Sequence, residues 1–495
     1  MPDATARSSA RRSGQASLRS TSRVDVALVF PPIRSWDEPR NFPTGLGIIA
    51  AIVRQMGYTV AVVDAKGESL SVYDVQERLK TLRPRVVGIG GLVTTYRFVR
   101  NLTRWIKAWD PSIKIMVGGS VGGSIPELMI EKNPVDAVCI GEGDETVKEL
   151  VLALLDGASL DRIRGIAFRD EGRTVIADSR PVISDVNTIP FPAWELFPME
   201  TYLSNPVVGV GRDMDIITSR GCPHQCTYCY QIFGRGFRAR APENILAEIA
   251  ELNDRYGLDF VSFQDDCFIV DKRRVRRFCD LLDQSGLDIK WSCCGRVNIV
   301  DEPLLRRMKA SGCVSVNYGI ESGSQAILDR YRKGVKVEMA KEAVRLTRDV
   351  GIRCPTSFML GSLGETPETA WETVEFCRSV NIPLQALMFT TPYPGTPLYE
   401  EVKALRLIGD EEAYVMRLGD CVDFTINLTE MPDAELLALR DRMLAAVKAN
   451  YRPPGEKERE RFERELYGER LYNKGRLQMA SAAMQSHRKT HGFNE

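Results

Sequence analysis

The chain has 495 residues, too long for one ordinary domain, so two or three are expected. Hydrophobic residues make up 44% and charged residues 27%, the balance of a soluble globular protein rather than of a disordered or fibrous chain. Lys plus Arg and Asp plus Glu both number 66, so net charge makes no case for nucleic acid or an anionic membrane, and no apolar run approaches the roughly 18–20 residues of a spanning helix.

Residues 1–23 carry Arg7, Arg11, Arg12, Arg19 and Arg23 among several Ser, with Asp3 the only acid. An organelle transit peptide has such a composition, and so does a disordered basic arm, which is the reading adopted. There is no apolar core for a secretory signal, and the expected location is the cytoplasm.

Residues 24–155 alternate between two periodicities. Short β-branched runs ("VDVALVF", "TVAVVD", "RVVGIG", "IKIMVG", "DAVCI") are separated by amphipathic stretches such as Leu46–Met56 and Val72–Leu82. Near-continuous apolar strands between helices predict a doubly wound parallel sheet covered on both faces. Residues 156–212 hold a small hairpin, "GIAFRD" with "TVIAD", and a Pro-rich linker, "TIPFPAWELFP". Alternation resumes over 213–430 with six strand candidates: "MDIITS", "DFVSFQD", "IKWSCC", "CVSVNYGI", "RCPTSFML" and "LQALMFT". Helical stretches such as Pro242–Tyr256, Lys272–Gln284 and Glu365–Arg378 lie between them, and six βα units predict a partial (β/α)6 TIM-like barrel. Chemically unusual residues follow every strand of this set, and the carboxyl ends of parallel strands are where such folds place their sites. Residues 431–495 are expected to be a helical, charged tail. The tail and the 391–425 segment are expected to close the cavity.

The chain has 12 Cys, which in a cytosolic protein read as thiols or metal ligands rather than disulfides. Cys222, Cys226 and Cys229 fall within "SRGCPHQCTYCY", directly after the first barrel strand. Structural zinc needs four closed ligands, and the fourth would have to be His224 or a distant Cys. A 4Fe–4S cluster on three thiolates would leave one iron open. Cys279, Cys313, Cys354 and Cys377 read as small buried hydrophobes, Cys139 as first-domain core, and the vicinal Cys293-Cys294 as packing ahead of function.

"CPHQCTYC" after a first barrel strand resembles the C-x3-C-x-aromatic-C loop of radical S-adenosylmethionine (radical SAM) enzymes. The resemblance implies a 4Fe–4S cluster on Cys222, Cys226 and Cys229, with S-adenosyl-L-methionine on the open iron as the source of a 5′-deoxyadenosyl radical. Carried over motif by motif, "FQDDCF" nominates Asp265 and Asp266, and "GIESGS" nominates Glu321 and Ser322, as cofactor contacts. Asp266 could instead cap the following helix, and Glu321 could be a structural ion pair. Arg296 suits the cofactor carboxylate, although a barrel salt bridge would use it equally well.

The first domain, with "GGSVGGSIPE" after its fourth strand and "GEGDET" after its fifth, resembles the cobalamin-binding domain upstream of many radical enzymes. Gly118, Gly119, Gly122 and Gly123 would let backbone approach the corrin or its nucleotide tail, and the loops 31–44 and 92–97 would face the corrin. His224, His487 and His491 are the only His, so no first-domain His can ligate the cobalt's lower face. "FMLGSLGET" and "TTPYPGTPLYE" are similar to the branch that contains the anaerobic magnesium-protoporphyrin ester cyclase and class B radical methyltransferases. That resemblance implies methylation of an unactivated carbon of a small molecule by a 5′-deoxyadenosyl radical and methylcobalamin, served by an electron donor such as flavodoxin or ferredoxin. Radical cyclisation or rearrangement without methyl transfer is the alternative, and a non-catalytic cobalamin or iron–sulfur regulator stands behind both. Methylthiotransferases and enzymes with carboxyl-terminal auxiliary clusters are disfavoured, because Cys139 is alone in the first domain and Cys421 is the last Cys.

Overall fold

The computed structural model describes residues 23–33, 38–205, 211–384 and 386–490, with side chains to residue 473 apart from that of Ala386. Apart from Arg23, the expected basic arm lies outside them. The five β-branched runs form parallel strands β1 (Val26–Phe30), β2 (Val60–Asp64), β3 (Val86–Gly91), β4 (Lys114–Gly119) and β5 (Ala137–Cys139), arranged 2-1-3-4-5. The order reverses between β1 and β3, which opens a crevice at the carboxyl ends of those strands. The hairpin β6 (Ile166–Asp170) and β7 (Arg173–Ile176) does not stand free in a linker: β6 pairs antiparallel with β5 and extends the sheet. Ile166 and Ala167 are fully buried there, and β5 gains a cover for an edge that would otherwise be open.

The second sheet is all parallel and in chain order: β8 (Asp213–Ile216), β11 (Phe260–Phe263), β12 (Lys290–Gly295), β13 (Cys313–Glu321), β14 (Thr356–Leu360) and β15 (Ala386–Phe389). Six strands curl into the expected partial barrel. A two-residue antiparallel ribbon, β9 (Ser219–Arg220) with β10 (Arg238–Ala239), flanks the segment that carries the three thiols. Helix ends follow local chemistry. Val72–Leu82 starts on a Ser71/Asp74 capping box, while Pro242–Tyr256 begins on proline and stops at Gly257 in the left-handed region.

The chain after β15 returns to the first sheet. Leu398, Tyr399, Val402, Tyr414 and Val415 share one buried cluster with Val63, Val87 and Ile89. Glu412 fastens this strap by accepting from Arg100 Nε at 3.0 Å and Tyr96 Oη at 3.2 Å. The charged tail is the helix Glu456–Thr490 with a break at Gly468, and none of its described side chains lines the cavity at the mouth. Leu466, Tyr467 and Leu471 pack on Phe260 and Val314 at the amino-terminal ends of β11 and β13, beneath the barrel. The expectation that the tail closes the cavity is therefore corrected: its apolar stripe is taken by the barrel floor. Among the described residues no helix is long and apolar enough to cross a membrane.

Candidate functional site

The three thiols sit on the loop leaving β8, at the barrel mouth. Gly221 turns the chain into this loop at φ +82°, and a Cβ there would collide with the Gly236 carbonyl. Cys222 N–H donates to Gly234 O at 3.4 Å, and Thr227 N–H to Tyr331 O at 3.0 Å, so both arms of the loop are tied down. All three sulfurs are free; Cys226 is buried and the other two half-buried. Burial raises the Cys222 thiol above its ordinary range and pushes Cys229 up to about 12, with Asp266 and the neighbouring thiols acting in the same direction. Thiolates here therefore need positive charge beside them. Arg296 supplies some, with Nη1 3.6 Å from Cys226 Sγ. Among the described residues no three His, Cys, Asp or Glu side chains converge on a point, as a single ion would require. A 4Fe–4S cluster makes a different demand, since each thiolate binds its own iron. The donor set suits the cluster.

The carboxylates nominated by sequence divide. Asp265 is buried and turned to the strand end, where it accepts from Thr218 N–H and Thr218 Oγ1 at 2.5 Å and from Ser219 N–H at 3.1 Å. That makes it a brace for the thiol loop rather than a group facing the mouth. Asp266 is exposed in the mouth and close enough to Cys222 and Cys229 to raise both thiols. Ser322 is fully buried behind the mouth, with Oγ accepting from Ser324 N–H at 3.0 Å and lying 3.5 Å from Thr373 Oγ1. Glu321 sits at φ +73° and receives Lys333 Nζ at 2.7 Å and Tyr228 Oη at 3.0 Å; Lys333 also donates to Tyr228 Oη at 3.0 Å. Sequence reasoning missed Lys333, which stands in no recognisable motif. It also passed over Cys267, whose buried thiol lies near enough to Cys222 to feel its charge. Cys293, Cys279, Cys313 and Cys377 are buried as expected, and Cys354 is half-buried.

Across from the thiols lies the carboxyl edge of the first sheet. A crevice of about 280 Å³ opens at the β1/β3 switch point, walled by Leu28, Leu46, Gly90, Met116, Gly118 and Cys139 among others. Cys139 thus lines the crevice instead of filling the core. Gly90 and Gly118 form part of its floor, and a side chain on either would take up crevice space. Gly119 turns at φ +70°, where a Cβ would come within 2.7 Å of Gly91 O. Gly122 does not face the crevice: its Cβ position abuts Val117 and Val138, so it serves helix-on-sheet packing. Gly123 points toward Cys139 O and Tyr230 Oη.

A second cavity of about 780 Å³ separates the two halves. Pro32, Asn41 and Leu92 line it from the first-domain loops, Tyr230 from beside Cys229, and Tyr393 and Asp420 from the strap. The 391–425 segment lines the cavity through Tyr393, Pro394 and residues of 419–423, and both predicted loops contribute. Its lining mixes aromatic, aliphatic and charged side chains.

Comparison with known proteins agrees with this geometry. Residues 216–377 match the family model of the radical SAM superfamily, and residues 39–151 that of the B12 binding domain. An uncharacterized methyltransferase of Pyrococcus horikoshii is 33% identical over 393 residues, covering 78% of this chain and 84% of that protein. The anaerobic magnesium-protoporphyrin IX monomethyl ester cyclase of Rubrivivax gelatinosus is 29% identical over 420 residues, covering 83% of this chain and 73% of that one. Among solved structures, the radical S-adenosylmethionine methyltransferase TsrM of Kitasatospora setae, with cobalamin and a 4Fe–4S cluster bound, superposes with a TM-score of 0.68 at 16% identity. The match covers 93% of this chain and 100% of that one, and it carries the fold.

Proposed function

The chain belongs to the radical SAM superfamily and carries a B12-binding domain in the same polypeptide, and from that premise we propose that it methylates an unactivated carbon of a small molecule. One observation carries the reading: the first-domain loops after β1 and β3 and the thiol loop line one shared cavity, the latter through Tyr230 next to Cys229. When bound, the cluster with S-adenosylmethionine supplies radical hydrogen abstraction, and methylcobalamin supplies the methyl group.

Each half of the chain has its part. Cys222, Cys226 and Cys229 hold the cluster, and Arg296 offsets negative charge at Cys226. Asp266, exposed at the mouth, is placed to meet the amino group of S-adenosylmethionine, while Asp265 braces the loop from behind. Glu321, held by Lys333 and Tyr228, shapes the mouth on the β13 side. Gly118 and Gly119 give the nucleotide tail access to the crevice, and the strap shields the shared cavity from water. The free thiols suit a reducing compartment, so we place the enzyme in the cytoplasm with a flavodoxin or ferredoxin as electron donor and no nucleic-acid partner.

The test is anaerobic reconstitution with iron, sulfide and cobalamin, then S-adenosylmethionine and a strong reductant, with products quantified by mass spectrometry. Formation of 5′-deoxyadenosine, together with S-adenosylhomocysteine only when cobalamin is present, is expected. Deoxyadenosine alone would favour cyclisation or rearrangement, a reading that the similarity to the Rubrivivax cyclase keeps in view. A Cys226→Ala variant that retains the same iron would overturn the cluster assignment.

A further inference from the structure

The segment that carries the thiols also closes the crevice in the first sheet. Arg220, two residues before Cys222, and Ile232 and Phe233, just past Cys229, stand in the crevice wall. The Phe233 ring centre lies 4.8 Å from the Arg220 guanidinium carbon. Arg220 forks onto Asp144 at 2.7 and 2.9 Å. Asp144 and Glu142 come from the turn after β5, at the start of the helix Gly143–Asp156, and both line the same crevice. Glu142 accepts from Arg238 Nη1 at 2.8 Å and from Ile183 N–H at 2.7 Å, while Arg238 Nη2 donates to Phe233 O at 2.8 Å.

These four charged side chains are no more than 10% exposed. A buried fork of this kind resists separation, because parting it strands a charge. The β9–β10 ribbon and the turn after β5 therefore keep a fixed relation to each other. A ligand lodged in the crevice presses directly on the support of the thiol loop, with no other element between.

We propose that Ile232 and Phe233 form one wall of the corrinoid's nucleotide-tail site, and that the Arg220–Asp144 fork makes cluster and cobalamin bind cooperatively. The proposal rests on the crevice being the cobalamin site. Linkage requires the effect to be reciprocal: an ordered thiol loop completes the crevice, and an occupied crevice holds the loop.

The experiment compares hydroxocobalamin with cobinamide, which lacks the nucleotide tail. Each is bound to the full chain by anaerobic equilibrium dialysis with cobalt quantified, once with the cluster loaded and once after chelator stripping. Loading the cluster is expected to tighten hydroxocobalamin by about tenfold, within the ordinary range of coupling between sites, and to leave cobinamide within about twofold. Asp144→Asn should erase the difference. Should that variant fail to fold, Phe233→Ala tests the wall separately by weakening hydroxocobalamin and sparing cobinamide. Equal hydroxocobalamin affinity in both states, or equal tightening of both corrinoids, overturns the proposal and leaves the cobalamin reading intact. If neither corrinoid binds in any state, the cobalamin reading falls and the proposal with it.

Discussion

Lys333 ties the end of β13 to the thiol loop at the barrel mouth. Its ammonium is buried, 2.7 Å from Glu321 Oε1 and 3.0 Å from Tyr228 Oη, and Tyr228 stands inside the thiol motif. Glu321 itself holds a left-handed backbone at φ +73°, a conformation that costs an acidic residue free energy unless its surroundings impose it. Lys333→Met removes the only cation hydrogen-bonded to that carboxylate among the described contacts and leaves it charged and buried. The expected loss is about 3–5 kcal/mol of stability, read as a lower urea midpoint. The double variant Glu321→Gln with Lys333→Met should recover most of it, because no uncompensated charge remains. A double variant as unstable as the single one would show that the pair matters for its packing and not its charge. Nothing in the sequence announces Lys333, since a buried ion pair is defined by its partner and the partner lies 12 residues away at the end of β13. The three Cys were legible for the opposite reason, because their spacing is local and their chemistry leaves few uses for three thiols on one loop.

At the scale of elements, strands and helices were readable wherever burial imposes a period. Val72–Leu82 and Pro242–Tyr256 begin and end where their caps and their prolines say they should. The six barrel strands each overlap one of the runs read from the sequence, because a parallel sheet buries both faces of every strand. Destinations were less readable than elements. An amphipathic stripe states that a helix must bury one face but not which surface will receive it, and the stripe of this tail is received by the floor and not by the mouth. Leu471, 1% exposed against Phe260 and Val314, is the anchor of that contact. Leu471→Ala should cost about 2–5 kcal/mol through the cavity it leaves, measured by urea unfolding. Iron content and 5′-deoxyadenosine yield per cluster should stay at the wild-type level, since the floor is remote from the thiols. A variant that loses iron in proportion to stability would instead tie the floor to the site.

At the scale of the whole molecule, polar contacts between the two halves add to the apolar strap, and one of them makes stability depend on pH. Asp215, on β8 of the barrel, accepts from Asn41 Nδ2 at 2.9 Å and Phe42 N–H at 3.2 Å, both from the first-domain loop after β1, and from Gln264 Nε2 at 2.9 Å. Burial and the nearby Asp213 carboxylate push Asp215 up to about 7, and the hydrogen bonds only partly oppose them. In the unfolded chain the same carboxyl titrates near 3.8. Between about 4 and 7 the folded protein therefore holds a proton that the unfolded chain has released, so this group's contribution is fully present in acid, falls as pH rises through that window and is flat above it. Glu365, buried in the turn after β14 and also pushed up to about 7, acts with the same sign. Thermal unfolding between pH 5 and pH 8 should accordingly show a smaller decline for Asp215→Asn than for the wild type, and smaller again for Asp215→Asn with Glu365→Gln. Both replacements keep an acceptor for the backbone donors and remove the buried charge that opposes folding at high pH. Because Asn41 and Phe42 belong to the first domain, the Asp215→Asn gain at pH 8 should also appear as slower proteolysis between the two halves. Unchanged pH slopes in both variants would mean that Asp215 is ionised when folded and that its three donors outweigh its burial.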